Sequence, residues 1–377
     1  MMLHMTPYDV LMFREARPFD REHHLARTVL PLPQTVAGAV RAKLFRKMEQ
    51  VDDPEVKKKL EGLIWADPER PERSEEPGFE LGGLFFSEFE NNDSLKTLYL
   101  PAPFDIVRDK DGTIFSVKPH PVGWNGFEAT VFSGRSLHFE PAGGYLSFEV
   151  FKQYLSGNLQ EAELSDSLVP ESRLYVRESR VGIGLTPSKV VQEHLFYRTE
   201  MLRLREGMGL TAWILSSDNI RCYLGRSGTL KLGGEGRFVR YFTDGEEIFK
   251  EFAEYWEKEI LPEIKRRRRF KLYLATPAIF ESGSCYTWEP PLDGEDISVV
   301  PLIGKPVPIS GWDMRSGSPK ATRYAVPPGS VYFVEFEGEP PVNSPWTKVG
   351  RPKCRKKSGH KVDLTRLGYG LAFVGVW

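Results

Sequence analysis

The sequence predicts an α+β protein of two domains, each built from a few antiparallel strands and one or two packing helices. Its 377 residues are enough to bury a core in each domain. Most apolar residues form short runs between turn residues, which is typical of strands. Two longer segments repeat their apolar residues at helical spacing. This order favours two ferredoxin-like domains, over residues 1–205 and 206–377.

The first predicted domain begins with a strand and a long helix. An extended run predicts the strand over about 8–13, and apolar residues at helical spacing predict the helix over about 34–51. The acidic, proline-bearing stretch 52–80 predicts a surface insertion, part helix around 60–65 and part loop. Such a stretch repels phosphates, so it is expected to face solvent or a protein partner.

Strand patterns dominate the rest of the chain, with β-hairpin insertions and loops between them. The expected elements of the first domain are hairpins within 84–100 and 104–117, a long loop over 119–144, a helix near 148–155 and two strands within 173–210. Those of the second domain are a strand near 211–215, a helix over 246–266 that Pro262 ends or kinks, and strands at 270–275, 331–335 and 371–377.

The charge balance excludes a surface that is basic all over. The chain has 51 Lys+Arg and 52 Asp+Glu, a formal charge of -1, so any nucleic-acid site must be local. Three cysteines (Cys222, Cys285, Cys354) lack metal or disulfide spacing, and no metal is expected. No glycine cluster has the spacing of a dinucleotide or phosphate-binding loop, so no cofactor is expected. The absence of long apolar runs predicts a soluble, cytoplasmic protein without membrane contact.

The segment 13–45 contains the clearest candidate site. A cationic loop carrying His23 and His24 connects the first strand to a helix that starts after two prolines. We expect Thr35 to cap this helix, Gly38 to admit another backbone, and the open helix N-terminus to attract an anion. The candidate contacts for a polyanion are Arg14, Arg17, Gln34, Thr35, Gly38 and Arg41.

Further candidates combine cations with glycines or aromatic residues. Glycines allow close approach to a ribose-phosphate, and cations beside aromatic rings can hold phosphates while bases stack. Each cluster equally suits a plain turn or a stiff loop, and the run 265–269 is interpreted as a solvated helix end. The candidates are Arg177, Arg180, Gly182, Gly184, Gly234, Arg237, Lys305 and Arg323.

Several blocks of the sequence together resemble a known family. They are PYDVLMFREARPF (7–19), LPQTVAGAVR (32–41), RVGIG (180–184), LGGEGR (232–237) and ISGWD (309–313). They resemble the third subunit of the type III-B CRISPR Cmr effector complex, within the repeat-associated mysterious protein (RAMP) superfamily. The segment GYGLAFVG (368–375) is similar to the glycine-rich segment of RAMP proteins.

The resemblance implies two ferredoxin-like (RRM-like) domains and a non-catalytic, RNA-binding role. The family binds the 5′ tag of the CRISPR RNA, docks on the large polymerase-like subunit and joins the backbone RAMP subunits. The implied tag contacts are Arg14, Arg17, Gln34, Thr35, Gly38, Arg41, Arg180, Gly182, Gly184, Gly234 and Arg237.

Two alternatives stay open from the sequence. One is a metal-independent endoribonuclease that processes precursor CRISPR RNA with His23 or His24 as acid–base catalyst. The other is an adaptor that contacts only protein.

Overall fold

The structure, a computed structural model, describes most of the chain. It covers residues 1–14, 25–26, 28–66, 78–90, 94–124, 127–133, 138–185, 188, 191–215, 219–280, 297–313, 318–350, 354–355 and 361–377. Arg17, His23, His24 and most of the acidic half of the 52–80 insertion lie outside these residues. Within them, no helix has the length and apolarity needed to cross a membrane.

Short strands outnumber helices throughout the described chain. The helices are α1 (Pro33–Glu49), α2 (Pro54–Ile64), α3 (Phe148–Ser156), α4 (Leu164–Ser167), α5 (Glu171–Leu174), α6 (Asn219–Leu224), α7 (Glu247–Tyr255) and α8 (Leu261–Arg267), with a π-helical turn at Trp256–Ile260 and 3-10 turns at Glu161–Glu163 and Leu364–Arg366. The strands are β1 (Met2–Pro7), β2 (Leu25–Ala26), β3 (Leu81–Glu90), β4 (Ser94–Pro101), β5 (Ile106–Asp109), β6 (Ile114–Ser116), β7 (Lys118–Trp124), β8 (Phe127–Ser133), β9 (Phe139–Pro141), β10 (Tyr145–Ser147), β11 (Tyr175–Leu185), β12 (Val191–Leu204), β13 (Met208–Ile214), β14 (Ser227–Lys231), β15 (Phe238–Asp244), β16 (Arg269–Leu274), β17 (Ile297–Leu302), β18 (Val307–Ile309), β19 (Trp312–Asp313), β20 (Ser318–Pro319), β21 (Arg323–Ala325), β22 (Val331–Phe336), β23 (Trp346–Lys348), β24 (Cys354–Arg355), β25 (Lys361–Val362) and β26 (Leu371–Gly375).

The larger of the two main sheets has seven antiparallel strands. Their order is β10-β4-β3-β13-β1-β15-β14. Strands β13, β14 and β15 come after residue 205, whereas β1, β3, β4 and β10 come before it. The expected boundary at 205 therefore runs through the middle of this sheet, and the sheet is complete only at residue 244.

Alternate residues of the larger sheet enter two different cores, as the twofold period of a strand requires. Leu3 and Met5 of β1 are buried in the core that contains α1, α2 and α6. Met2 and Trp213 face the opposite way, into the core that contains α3, α7 and α8. The two faces of one sheet thus support separate layers.

The smaller main sheet packs against this second core. Its antiparallel strands have the order β17-β22-β16-β26-β23. Aromatic residues join it to the larger sheet, and the Trp213 and Phe249 rings stack with centroids 4.0 Å apart. Phe249 also lies near Phe373 of β26, with centroids 6.3 Å apart. The helix α7 is therefore clamped between both sheets.

Most long elements agree with the sequence-based predictions, and the mixed α/β architecture with several antiparallel sheets is confirmed. The expected first strand at 8–13 is wrong, because β1 ends at Pro7 and the following segment forms isolated bridges, from Leu11 to Leu202 and from Arg14 to Thr28, within the described part of the chain. The expected loop at 119–144 contains β7, β8 and β9. Pro119 and Pro121 indicated a loop, yet proline is tolerated in β7 because, among the described strands, β7 pairs with β8 alone.

Candidate functional site

A cleft of about 1000 Å³ lies along the exposed face of α1. Opposite the helix, its walls are the segment 12–14, the end of β14 and the glycine turn that follows β14. Two residues of the loop after β18 close one end. The predicted site residues that line the cleft are Arg14, Gln34, Thr35, Gly38 and Gly234.

The start of α1 shapes one end of the cleft. The N-cap residue is Leu32, without a side-chain cap, and Pro33 follows it; the expectation that Thr35 caps the helix is therefore wrong. The Thr35 N–H instead donates to the Leu32 carbonyl over 2.9 Å. The Gln34 side chain donates to the Ser310 carbonyl at 2.7 Å, which ties the helix to the loop opposite.

Gly38 keeps the middle of the cleft open. It lies in the second turn of α1, is exposed, and a Cβ built there would meet no atom within 4 Å. The predicted close approach of another protein backbone to Gly38 is therefore absent from the described residues. The open space above the glycine is available to a ligand.

Four cations that were not selected from the sequence line the same cleft. They are Lys43, Arg46, Lys47 and Lys231. The first three lie on the polar side of α1, since Ala42 and Arg46 follow Gly38 at steps of four residues along one helix face. That spacing was a usable signal in the sequence. No such signal indicated the position of Lys231, because the order of the strands in the sheet, and not a local pattern, brings β14 near α1.

The glycine turn is a structural wall of the cleft. Gly233 has φ of 80°, and a Cβ there would lie 2.4 Å from the Met12 carbonyl oxygen. The Gly234 N–H donates to that same oxygen over 2.8 Å. Beside them Glu235, at φ of 54°, accepts from Arg14 at 3.4 Å. The turn therefore needs glycine in order to pack against the segment after β1.

Two predicted arginines belong to an ion-pair cluster around Asp9. Its carboxylate lies 3.0 Å from Arg203, 3.4 Å from Arg237 and 3.7 Å from Arg180. Arg180 and Arg203 also bind Glu178. Burial raises the pKa of Asp9, but hydrogen bonds from the Val10 N–H and Arg203 outweigh it, so the net pKa is lowered. Asp9 therefore stays ionised and retains its arginines.

The structure places other predicted contacts away from the cleft. Arg41 stacks on the Trp65 ring at 4.6 Å, because its position on α1 faces α2. Arg177 donates to the Thr28 carbonyl at 2.7 Å and holds the backbone there. Outside the cleft lining are also Gly182 and Gly184 on β11, Lys305 in the loop before β18, and Arg323 on β21.

Histidine or metal chemistry finds no support among the described residues. Within them, no group of three or more His, Cys, Asp and Glu could hold a metal ion. His4 is buried in the sheet, where its ring contacts Thr211 at 2.9 Å and burial lowers its pKa to about 4. The alternative based on His23 and His24 falls on residues that the structure does not describe.

Antiparallel sheets with few helices and a cationic cleft define a class: a mixed α/β protein with a site suited to a polyanion. The fold is similar to a chain of the type III-B Cmr-beta complex bound to cognate target RNA and AMPPnP. The identity is 16% and the TM-score 0.51, over 88% of this chain and 86% of that chain. A second structure of Cmr-beta bound to cognate target RNA matches with TM-score 0.50, at the same identity and coverage.

The family follows from the sequence itself. Residues 3–377 match the family described as CRISPR-associated protein (Cas_Cmr3), and the chain belongs to this family. The resemblance to the third Cmr subunit is thereby confirmed. No curated protein matches the chain.

Proposed function

We propose that the cleft along α1 binds the 5′ tag of the CRISPR RNA, and that the chain is a non-catalytic subunit of a type III-B complex. One observation carries this proposal. Lys43, Arg46, Lys47 and Lys231 line a single open cavity above Gly38. Cations gathered on one cavity bind a phosphate chain by releasing its counterions.

Part of the cleft lining is apolar, which suits a single strand. It lies beside the cations of α1 and β14, so bases and phosphates can each meet a matching surface. The partly or fully exposed apolar side chains of the lining include Val29, Leu30, Leu32 and Phe238. Two structures with this fold are described as bound to target RNA, which also supports an RNA-binding role.

The proposed tag contacts differ from those that the sequence and the family resemblance implied. Arg14 and Thr35 stay, because both line the cleft, and Thr35 lies in the first turn of α1, where open backbone amides attract phosphate. Arg41 is removed, since its guanidinium stacks on Trp65. Arg180 and Arg237 do not line the cleft, so they can contact RNA where it extends beyond the cleft. The added contacts are Lys43, Arg46, Lys47 and Lys231.

The wider arrangement is part of the same proposal. The two main sheets form the cores of two ferredoxin-like domains, with the boundary moved to about residue 245 so that the larger sheet stays whole. The subunit docks on the large polymerase-like subunit and on neighbouring backbone RAMP subunits. Since α2 covers the side of α1 opposite the cleft, docking near the 52–80 insertion leaves the RNA site open.

Reconstitution of the complex tests the proposal. Arg46→Glu with Lys47→Glu should leave subunit stoichiometry unchanged and remove nuclease protection from the tag nucleotides. Both residues are exposed, so the fold should persist. Unchanged protection of the tag would exclude the cleft and leave an adaptor that touches only protein.

The endoribonuclease alternative has its own experiment. The purified chain is incubated with labelled precursor RNA in EDTA, beside a His24→Ala variant. We expect no site-specific cleavage from either protein. Cleavage that the variant loses would show catalysis and contradict a purely binding role.

A further inference from the structure

One face of the larger sheet is covered in its middle and open at one end. Met2, Phe85 and Trp213 on β1, β3 and β13 are buried against α7. On the same face, at the β15 end, Phe238 is 44% exposed and Tyr8 is 66% exposed. Two aromatic rings are therefore exposed to solvent beyond the part of this face that α7 covers.

The strand register puts these rings in one row. Pro7 pairs with Val239, and the Tyr8 N–H donates to the Phe238 carbonyl at 3.3 Å, so the two side chains are cross-strand neighbours. Lys231 of β14 pairs with Phe238 on the other side. Val239 is buried in the core that contains α1, so Phe238 belongs to the other face of the sheet, at the end of the edge strand β14 where the α1 cleft reaches it.

The row is continuous with the α1 cleft. Phe238 and Thr229 line that cleft and also a second cavity of about 420 Å³, which Tyr8 and Arg237 share. The Tyr8 hydroxyl lies 3.4 Å from the Thr229 hydroxyl. A chain leaving the cleft past the edge strand β14 therefore arrives directly on the two rings.

We propose that Tyr8 and Phe238 form a stacking platform for one or two bases of single-stranded RNA that leaves the cleft. The inference rests on the proposed RNA-binding function and extends it to a second subsite. Each base presents a π-face that stacks on an exposed aromatic ring irrespective of sequence. Lys231 beside Phe238 supplies a phosphate contact at the point where the strand turns the sheet edge.

The chemistry of the row favours RNA over a protein partner. The two adjacent rings are flanked by cations and hydroxyls: Lys231 pairs with Phe238, and in the next row on the same face Arg240 pairs with Thr6 and Thr229. Aromatic rings between cations are the usual composition of a single-strand surface, whereas protein interfaces are depleted of lysine at their centre.

Titration of the full chain with a labelled single-stranded oligoribonucleotide at several salt concentrations tests the platform. Phe238→Ala and Tyr8→Ala should each weaken binding about 5- to 150-fold, the effect of losing one stacked base. The slope of log K against log salt should stay unchanged, because no charge is removed. The matched control is Phe45→Ala on α1, whose side chain is 41% exposed and outside both cavities; it should change nothing.

The outcomes separate this inference from the proposed function. If Arg46→Ala with Lys47→Ala lowers both affinity and salt slope while the ring variants bind normally, the cleft stands and the platform is wrong. If none of these variants affects binding, both proposals fail.

Cross-linking in the assembled complex gives a second measurement that does not depend on the affinity of the isolated chain. Ultraviolet irradiation should attach guide RNA to peptides that contain Tyr8 or Phe238. No cross-link to either peptide would overturn the platform. Release of another subunit by Phe238→Ala, with RNA cross-links elsewhere intact, would make this face a protein interface and would also overturn it.

Discussion

Two basic regions of the chain have similar composition and opposite structural environments. The basic segment of α1 (Lys43, Arg46, Lys47) lines an open cavity. The basic segment of α8 and β16 (residues 265–271) is held by carboxylates. Glu263 binds Arg266 at 2.6 Å and Arg267 at 3.0 Å, and Glu335 binds Arg269 at 2.9 Å.

The difference indicates that nearby carboxylates, and not the number of cations, determine whether a basic segment can bind an anion. An acidic residue three or four positions before an arginine on a helix neutralises it. The positions three and four before Arg46 and Lys47 (42–44) hold no acidic residue, whereas Glu263 lies three and four positions before Arg266 and Arg267. We therefore expect changes in α1 to alter RNA binding, and changes in the segment of α8 and β16 to alter stability alone.

The largest expected effect is on stability, at Lys271. Its ammonium is buried 3.8 Å from Asp105 and 3.4 Å from the Tyr154 ring centroid, and Tyr154 donates to both Asp105 oxygens. Burial lowers the pKa of Lys271 to about 8 and raises that of Asp105. Lys271→Met should cost ~3–5 kcal/mol of unfolding free energy, since it leaves a buried charge without its partner.

Urea unfolding measures the cost at Lys271. The control is Lys271→Met with Asp105→Asn, which removes both charges and should recover much of the loss. RNA affinity, measured where the single variant is folded, should equal that of the wild type. A loss of unfolding free energy below ~1 kcal/mol, or weaker RNA binding by the folded variant, would contradict the distinction between the two basic regions.

A smaller effect is expected on RNA binding from the cleft. Arg46→Ala with Lys47→Ala should weaken single-stranded RNA about 10- to 100-fold at low salt and reduce the salt slope by about 2, because two phosphate contacts are lost. The matched control is Arg266→Ala with Arg267→Ala, whose guanidiniums already bind Glu263. Equal losses of RNA affinity from the two double variants in a filter-binding titration would show that the ion pairs with Glu263 do not keep Arg266 and Arg267 from binding RNA.

Two substitutions at Gly38 are expected to change stability and RNA binding independently, and by less than the variants above. Gly38→Ala should raise the unfolding free energy by ~0.5–1 kcal/mol, because alanine favours a helix and its Cβ meets no atom within 4 Å. Gly38→Glu should fold equally well and weaken RNA binding, since its carboxylate enters the cationic cleft. Thermal unfolding and RNA titration of both variants check this. A destabilised Gly38→Ala would show that the space is occupied.

The smallest expected effect is the pH dependence of α8. Hydrogen bonds from Arg266 and Arg267 lower the pKa of Glu263 to about 2 from its ordinary value of 4.5. Its contribution to stability is therefore complete above 4.5 and is lost as the pH falls toward about 2. The difference in melting temperature between wild type and Glu263→Gln should shrink from pH 6 to pH 3. A constant difference would show that the ion pairs do not contribute.

The sequence predicted those parts of the fold that depend on local pattern. The apolar spacing in α1 and in α7 with α8 identified both helices, and turn residues identified the hairpins β3–β4 and β5–β6. Pairing between distant strands was not predictable in this way, because β1 pairs with β13 and β15 more than 200 residues later. Strands from both sides of the predicted boundary at 205 therefore share one sheet.

The candidate site shows the same limit. Local chemistry pointed to Arg14, Gln34, Thr35, Gly38 and Gly234, and the structure brings these five to one cleft. Arg41 lies outside the cleft, because its guanidinium contacts Trp65, the residue that follows α2. Lys231 was missed because only the three-dimensional path of β14 brings it to α1.

The central position of β1 in the larger sheet has a consequence for synthesis. Its partners β13 and β15 end at residues 214 and 244, so β1 stays unpaired until these residues have left the ribosome. At synthesis rates of about 5–20 residues per second, this delay is roughly 10–50 s. During that time the apolar strand and its neighbours are exposed to aggregation, and we expect nascent chains that stop between β1 and β13 to require chaperones.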